Sequence, residues 1–315
     1  EDRRVKLGAA QPGETPGTFG DALRRLADQA VFLYVDGSRY WFDTKATVTR
    51  VADERAHDLD IADVRAKLVE RLGTARQERG KFAAVQAAPR DSSEVPDETG
   101  ARLIILGPAY PHAQVGDSGA KAAAGEILDR RGQSPRVHRN SLLFLAPDRR
   151  RLEELEQAVR MWMAWTSISE QRKVLQLTPF QEDQANTKVK EWDGTVEARI
   201  KETWIWTMAP HQPEPTKPDI DWTIERVSGN EPLTVRAGKK FVADGALYEQ
   251  LGARNLRQAM DRFDLWRDKD HVPLKQVAAD FASYLYLPRL RDRQLLADAV
   301  QAGISGLVCD QLAYA

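Results

Sequence analysis

The stretch from Ile127 to Trp165, ILDRRGQSPRVHRNSLLFLAPDRRRLEELEQAVRMWMAW, constrains the fold of this chain most tightly. Its short apolar run, Leu142 to Ala146, is the pattern of a fully buried strand. A helical pattern opens after Asp148. Leu152, Leu155, Val159, Trp162 and Thr166 recur at alternating three- and four-residue spacing, while Glu153, Glu154, Glu156 and Arg160 fall on other faces. A buried strand feeding a long amphipathic helix is half of an α/β unit. Ahead of the strand, Arg130, Arg131, Arg136, His138 and Arg139 crowd a loop broken by Gly132 and Pro135. Between Leu128 and Arg151 there are 7 arginines against 2 aspartates. Guanidinium groups at that density suit a phosphate, in a ligand or in a nucleic-acid backbone. A solvated loop pairing with the Glu-rich helix behind it is the plain alternative.

The 315 residues exceed one typical small domain and suit two. A 42% apolar and 30% charged content is that of an ordinary globular protein with ample core material. The formal net charge of −1 argues against a surface built wholly for nucleic acid, and leaves a local basic patch open. A single cysteine, Cys309, excludes an internal disulfide framework and a cysteine zinc cage, so a reducing, cytoplasmic setting is expected. There is no membrane-length apolar run and no signal-peptide pattern. The first residue is Glu rather than Met, and the sequence is expected to be a piece of something longer.

Residues 1–18 carry Pro12, Gly13, Pro16 and Gly17 and read as a linker or arm. A helix follows over Phe19–Ala30. VFLYV and RYWFD flanking Asp36-Gly37-Ser38 form the clearest hairpin signal. Helices are expected over 44–57 and 61–79, and strands at 81–87 and 102–106. An Ala-rich helix is expected over 119–131. Together with the stretch described first, these predict an α/β domain over 19–169, with a mixed sheet of about five strands flanked by helices. Residues 170–210 read as a helical arm, centred on a charged helix at 181–202, with a connecting strand at 203–208. The proline-rich segment His211–Pro218 marks a boundary. Residues 211–315 then read as a smaller α+β domain, with a strand at 221–227 and helices at 247–260 and 274–286. That pattern is compatible with a winged helix as well as with generic α+β packing.

Several chemistries are missing from the text. Gly119-Ala-Lys-Ala-Ala-Ala-Gly125-Glu126 spaces its glycines one residue too far for a P-loop and lacks the Lys-Ser/Thr, so it reads as helix. No Gly-x-Gly-x-x-Gly follows a strand. His57, His112, His138, His211 and His271 show no i, i+3 or i, i+4 metal spacing. Asp148 follows LLFLAP as a magnesium-holding acid would, but a helix N-cap is the better reading. The aromatic group Tyr34, Tyr40, Trp41 and Phe42 could stack a base, although a hairpin so rich in aromatics is usually core.

Three blocks taken together, ALRRLADQAVFLYVDGSRYWFDTKATVTRVADERA, RRGQSPRVHRNSLLFLAPDRRRLEELEQAVRMWMAW and YLYLPRLRDRQLL, resemble the C-terminal part of a family of large bacterial ATP-binding proteins. This is the domain of unknown function 499 family, described as AAA+-type ATPases. The resemblance spans most of residues 20–300. It implies a P-loop ATPase whose Walker motifs lie upstream of Glu1, with ATP and Mg2+ as cofactors of the full-length parent and none in this chain. It also implies partners: the upstream ATPase domain, and the methylase and helicase proteins encoded in the same anti-phage loci. The family supplies no established catalytic residue in this part.

Two functional expectations follow. The first is an accessory, non-catalytic module whose Arg130, Arg131, Arg136 and Arg139 offer guanidinium to bound nucleotide or to a partner, with Asn140 as a polar sensor. The second is a DNA-binding module that uses the same loop together with Arg289, Arg291 and Arg293. A nuclease ranks third, because no two-metal carboxylate cluster can be picked from spacing. No membrane partner is expected.

Overall fold

The computed structural model describes residues 4, 8–9, 16–30, 33–36, 39–42, 47–115, 118–269 and 271–305. The chain forms two compact units, one from residues 1–64 and 157–196 and the other from 65–156 and 197–315.

In the first unit, α1 (Pro16–Gln29) precedes a hairpin of β1 (Leu33–Asp36) and β2 (Arg39–Phe42), whose register pairs Leu33 with Phe42 and Asp36 with Arg39. This is the expected hairpin. Its turn at Gly37-Ser38, and most of the arm expected over 1–18, lie outside the described residues, and residues 16–18 of that arm belong to α1. The side chains of Tyr34, Trp41 and Phe42 also lie outside them. Thr47 caps α2 (Val48–Asp58) by accepting from the Arg50 N–H at 3.3 Å. Val48 and Ala52 pack with Trp165, Ile168 and Ala185 from α5 (Arg149–Glu170) and α6 (Pro179–Thr203). Arg160 ties these helices further by donating to the carbonyls of Ala56 and Leu59.

The second unit holds the mixed five-stranded sheet that the apolar runs predict. Its order is β3 (Ala84–Ala87), β4 (Arg102–Ile105), β7 (Leu142–Pro147), β8 (Trp204–His211) and β9 (Asp221–Arg226). The first three strands are parallel and the last two antiparallel. β4 and β7 are buried at every position, which is why they read as continuous apolar runs rather than alternating ones. Between them the chain crosses through α4 (Gly119–Asp129) and a two-rung hairpin of β5 (Arg130–Arg131) and β6 (Ser134–Pro135). Ser118 caps α4 by accepting from the Lys121 N–H at 3.2 Å. Ala120, Ala124, Ile127 and Leu128 of α4 cluster with Ile104, Phe144, Trp206 and Met208 on one face of the sheet. On the N-terminal side of β3, α3 (Ile61–Leu72) runs into a 3-10 turn, Gly73–Gln77.

Three elements depart from the sequence reading. β9 was expected to open a separate C-terminal domain, yet it pairs with β8 from Trp206↔Arg226 to His211↔Asp221 and forms the edge of the main sheet. A helix absent from the expectations, α7 (Leu233–Ala243), packs on β8, with Phe241 meeting Phe82 edge-on at 6.1 Å. The helix expected from Leu247 begins only at Ala253. Leu247 closes the end of α7 by donating to the Phe241 carbonyl, and Tyr248 bridges to Leu290. After β9 the described residues hold α7, α8 (Ala253–Arg262), α9 (Leu274–Ser283) and α10 (Gln294–Ser305), with that one bridge and no two-stranded wing. Leu256, Met260, Phe281, Leu287 and Leu296 form the core of these helices. No helix among the described residues is long and apolar enough to cross a membrane.

Candidate functional site

The arginine loop and the 289–293 connection, 150 residues apart in the sequence, meet in the second unit. Their junction is a direct contact: Arg289 Nε donates to the Asn140 carbonyl at 2.5 Å. The two other ends of the Arg289 fork reach the carbonyls of Ala246 at 2.9 Å and Pro210 at 2.7 Å. Asn140 in turn donates through Nδ2 to Phe281 O at 2.8 Å and Leu287 O at 3.0 Å. Five main-chain carbonyls from distant segments are therefore satisfied by two side chains, as buried carbonyls require. Arg289 is only 6% exposed, and burial pushes its pKa down to about 9, so it is a cation at neutral pH.

Arg136 serves the same purpose at the other side of the loop. Its side chain is fully buried, with Nε on Ile127 O at 2.6 Å, Nη1 on Pro96 O at 3.1 Å and Nη2 on Val95 O at 3.1 Å and Ser92 O at 3.4 Å. Burial lowers its pKa, and the Asp97 carboxylate 3.9 Å away opposes that shift. The five donors of a guanidinium suit this bracing, since no other side chain reaches several carbonyls in one plane. Arg136, Asn140 and Arg289 were expected to face phosphate. The structure turns their donors inward onto the main chain.

Of the remaining candidates, Arg139 and Arg291 are half-buried and Arg130, Arg131 and Arg293 are exposed. Arg139 pairs with Asp129 at 2.7 Å and Arg291 with Asp292 at 2.8 Å. Arg130 and Arg131 sit side by side, exposed, on β5, with no carboxylate partner among the described residues. Their hairpin turns at Gly132, whose φ of +58° is the left-handed region that glycine enters without penalty. Arg293 is exposed beside a cavity of about 10 Å³ lined by Asn140, Ser141 and Phe281, room for about one water.

Asp97 holds the loop from below. It accepts from the N–H groups of Val137 and His138, both at 2.9 Å, and lies 3.1 Å from His138 Nδ1. Burial pushes its carboxyl up, but the two N–H donors, His138 and Arg136 outweigh it, and the pKa falls below the usual carboxylate range. A carboxyl depressed on folding contributes stability that is present above its unfolded pKa of about 4 and is lost as pH falls through the folded value. Asp97→Asn should therefore cost about 1–2 kcal/mol at pH 6, as measured by urea unfolding, with the gap to wild type narrowing at pH 3. A gap that persists undiminished at pH 3 rules out the charge as its cause.

Two features lay outside the sequence reading. Arg236 of α7 is another buried guanidinium that braces the main chain, donating to Gly229 O at 2.9 Å, Trp204 O at 2.8 Å and Lys201 O. At the carboxyl ends of β4 and β7, His112 bridges to Asp148, donating from its N–H to Pro147 O at 2.8 Å while accepting from the Arg149 N–H at 3.1 Å. His112 Nδ1 lies 2.8 Å from Ser118 Oγ, and its ring meets Trp206 edge-on at 4.8 Å. Burial lowers the His112 pKa against the pull of Asp148, so the ring is neutral at pH 7. Asp148 caps α5 as expected, accepting from the Arg151 N–H at 3.2 Å and from Trp206 Nε1 at 3.0 Å. In open α/β sheets this carboxyl end is where ligands usually sit. Here side chains and a backbone bridge fill it. A lone histidine in the text carries no signal for that role, because Ser118, Asp148 and Trp206 come to it from three separate elements.

The Gly119–Gly125 text is the first turns of α4, as its Ala content predicts. Comparison with protein-family models, with curated proteins and with solved structures gives no match to this chain.

Proposed function

We propose that the chain is an accessory, non-catalytic module of a bacterial defence-associated AAA+-type ATPase of the domain of unknown function 499 family, working with a phosphate-binding loop outside this sequence. The three text blocks support the family, and the 315 residues contain no Gly-x-x-x-x-Gly-Lys-Ser/Thr. The observation that carries the reading is the division of labour among the guanidinium groups. Those at the centre of the loop brace main-chain carbonyls, and Arg130, Arg131 and Arg293 remain on the surface for a partner or a nucleotide bound elsewhere. ATP and Mg2+ belong to the parent in this reading, and methylase and helicase proteins are its neighbours in a cytoplasmic assembly.

The test is the ATPase rate of the full-length parent carrying Arg130→Ala and Arg131→Ala together. A guanidinium acting on the transferred phosphoryl group is worth on the order of a thousandfold, and a fall of that size is the expected result. An unchanged rate removes these residues from the nucleotide. The adjacent pair on β5, without a carboxylate partner among the described residues, also favours a second reading, DNA binding. That reading requires a mobility shift at low salt that weakens steeply as salt rises, and it fails if none is seen.

A further inference from the structure

The sheet of the second unit ends on a bare strand. β9 is its outer member, bonded to β8 on one side and, among the described residues, paired with no strand on the other. The Val227 N–H donates to Ile205 O at 2.8 Å, which fixes the phase of the ladder. Asp221, Thr223 and Glu225 exchange hydrogen bonds with β8, and Trp222, Ile224 and Arg226 turn their N–H and C=O groups outward. Pro210, which has no N–H, stands opposite Trp222, in a pair that needs none. Among the described residues no other main-chain hydrogen bond reaches Trp222, Ile224 or Arg226. The usual guards of such an edge are missing: residues 221–226 hold no proline or lysine, and their register with β8 runs without a bulge. The side chains alternate. Asp221, Thr223 and Glu225 are exposed, whereas Trp222 and Ile224 are half-buried against the core of the sheet, with the Trp222 ring 5.7 Å from that of Phe144. Arg226, in phase with them, lies 5.1 Å over the Trp206 ring. The core face is therefore unfinished where β9 ends the sheet.

We propose that this edge is a self-association surface: β9 pairs antiparallel with β9 of a second copy of the chain, and the two five-stranded sheets become one. The strand is self-complementary in one register. On a two-fold axis through Ile224, that residue meets its own counterpart, Trp222 faces Arg226, and Thr223 faces Glu225. The first two pairings extend the apolar face and set a guanidinium beside an indole, and the third puts a hydroxyl donor next to a carboxylate. Sliding one strand by two residues opposes Asp221 to Glu225 in one direction and Glu225 to its own counterpart in the other. Like charges directly opposite destabilise a sheet. A slip of one residue sets outward-facing main-chain groups against inward-facing ones and forms no ladder. The charges thus select the register that closes on a two-fold axis, which is why the occupant is a second copy. The surface is distinct from the arginine loop and does not depend on the ATPase reading.

Sedimentation of the purified chain through the micromolar range is expected to show monomer giving way to dimer, and amide hydrogen exchange locates the contact. The amides of Trp222, Ile224 and Arg226 should gain protection as concentration rises, while those of Thr223 and Glu225, already bonded to β8, should not change. Ile224→Pro removes an outward donor and no bond to β8, so it should abolish the dimer and leave the circular dichroism of the monomer intact. Thr223→Glu sets like charges opposite each other on both sides of the axis and should weaken association by about tenfold. Adding Glu225→Lys to it makes those pairs opposite in charge and should restore the dimer. A chain that stays monomeric throughout overturns the proposal. So does a dimer in which the outward amides gain no protection, or one that Thr223→Glu leaves unchanged.

Discussion

Arg289→Met is expected to lower the unfolding free energy by about 4 kcal/mol at pH 7. Methionine approximates the volume of the arginine stem, so the loss comes from hydrogen bonding rather than from a cavity. The carbonyls of Asn140, Ala246 and Pro210 stay buried without donors, at about 1–3 kcal/mol each, and relief from burying the guanidinium returns part of that sum. Arg289→Lys should rescue little, because a point ammonium cannot span three carbonyls held in a fork. The pH dependence has a definite sign. With the folded pKa at about 9 and the unfolded one in the ordinary arginine range, the unfolded chain binds more protons above pH 9. The contribution of Arg289 to stability therefore rises with pH in that window. Urea unfolding at pH 7 and pH 10 should show a wider gap between wild type and Arg289→Met at the higher pH. A loss below about 1 kcal/mol at pH 7 would mean that water replaces the guanidinium and that the junction is not built on it.

Arg136→Ala should be comparably severe, costing about 3–5 kcal/mol, since it orphans carbonyls on the 92–96 segment and Ile127 and also opens a cavity. The Asp97 carboxylate then loses its nearest arginine. The distinguishing comparison is with Arg130→Ala, whose exposed side chain should cost less than about 0.5 kcal/mol. Equal effects at the two positions, read from paired unfolding curves, would erase the distinction between bracing and surface arginines.

The strand–helix stretch and the sheet were legible because their signals are local. Leu142–Ala146 could only be a buried strand, Asp148 is a good N-cap, and the apolar spacing of α5 needs no partner to be read. The hairpin of β1 and β2 is encoded by its turn and its flanking aromatics. α7 was not legible: Pro232 in place of a capping side chain, and Gly238 in mid-helix, suppress the usual signals. Gly238 is where it is because a Cβ there would lie 2.8 Å from Lys81 Cβ, a packing constraint written more than 150 residues away. Which of the arginines would be buried was not legible for the same reason. Arg136 and Arg130 look alike in a loop with Gly132 and Pro135, and only the return of the 92–97 segment decides which one is buried. Likewise, nothing near Asn140 announces that Arg289 will lean on its carbonyl.

Hydrolysis of ATP by the purified chain, assayed with Mg2+ after rigorous removal of contaminants, bears most directly on the view that these guanidinium groups brace a scaffold and serve phosphate chemistry housed elsewhere. That view requires no turnover above buffer. Turnover that co-purifies with the chain and disappears in a point variant of it would place the chemistry within these residues and refute the accessory role.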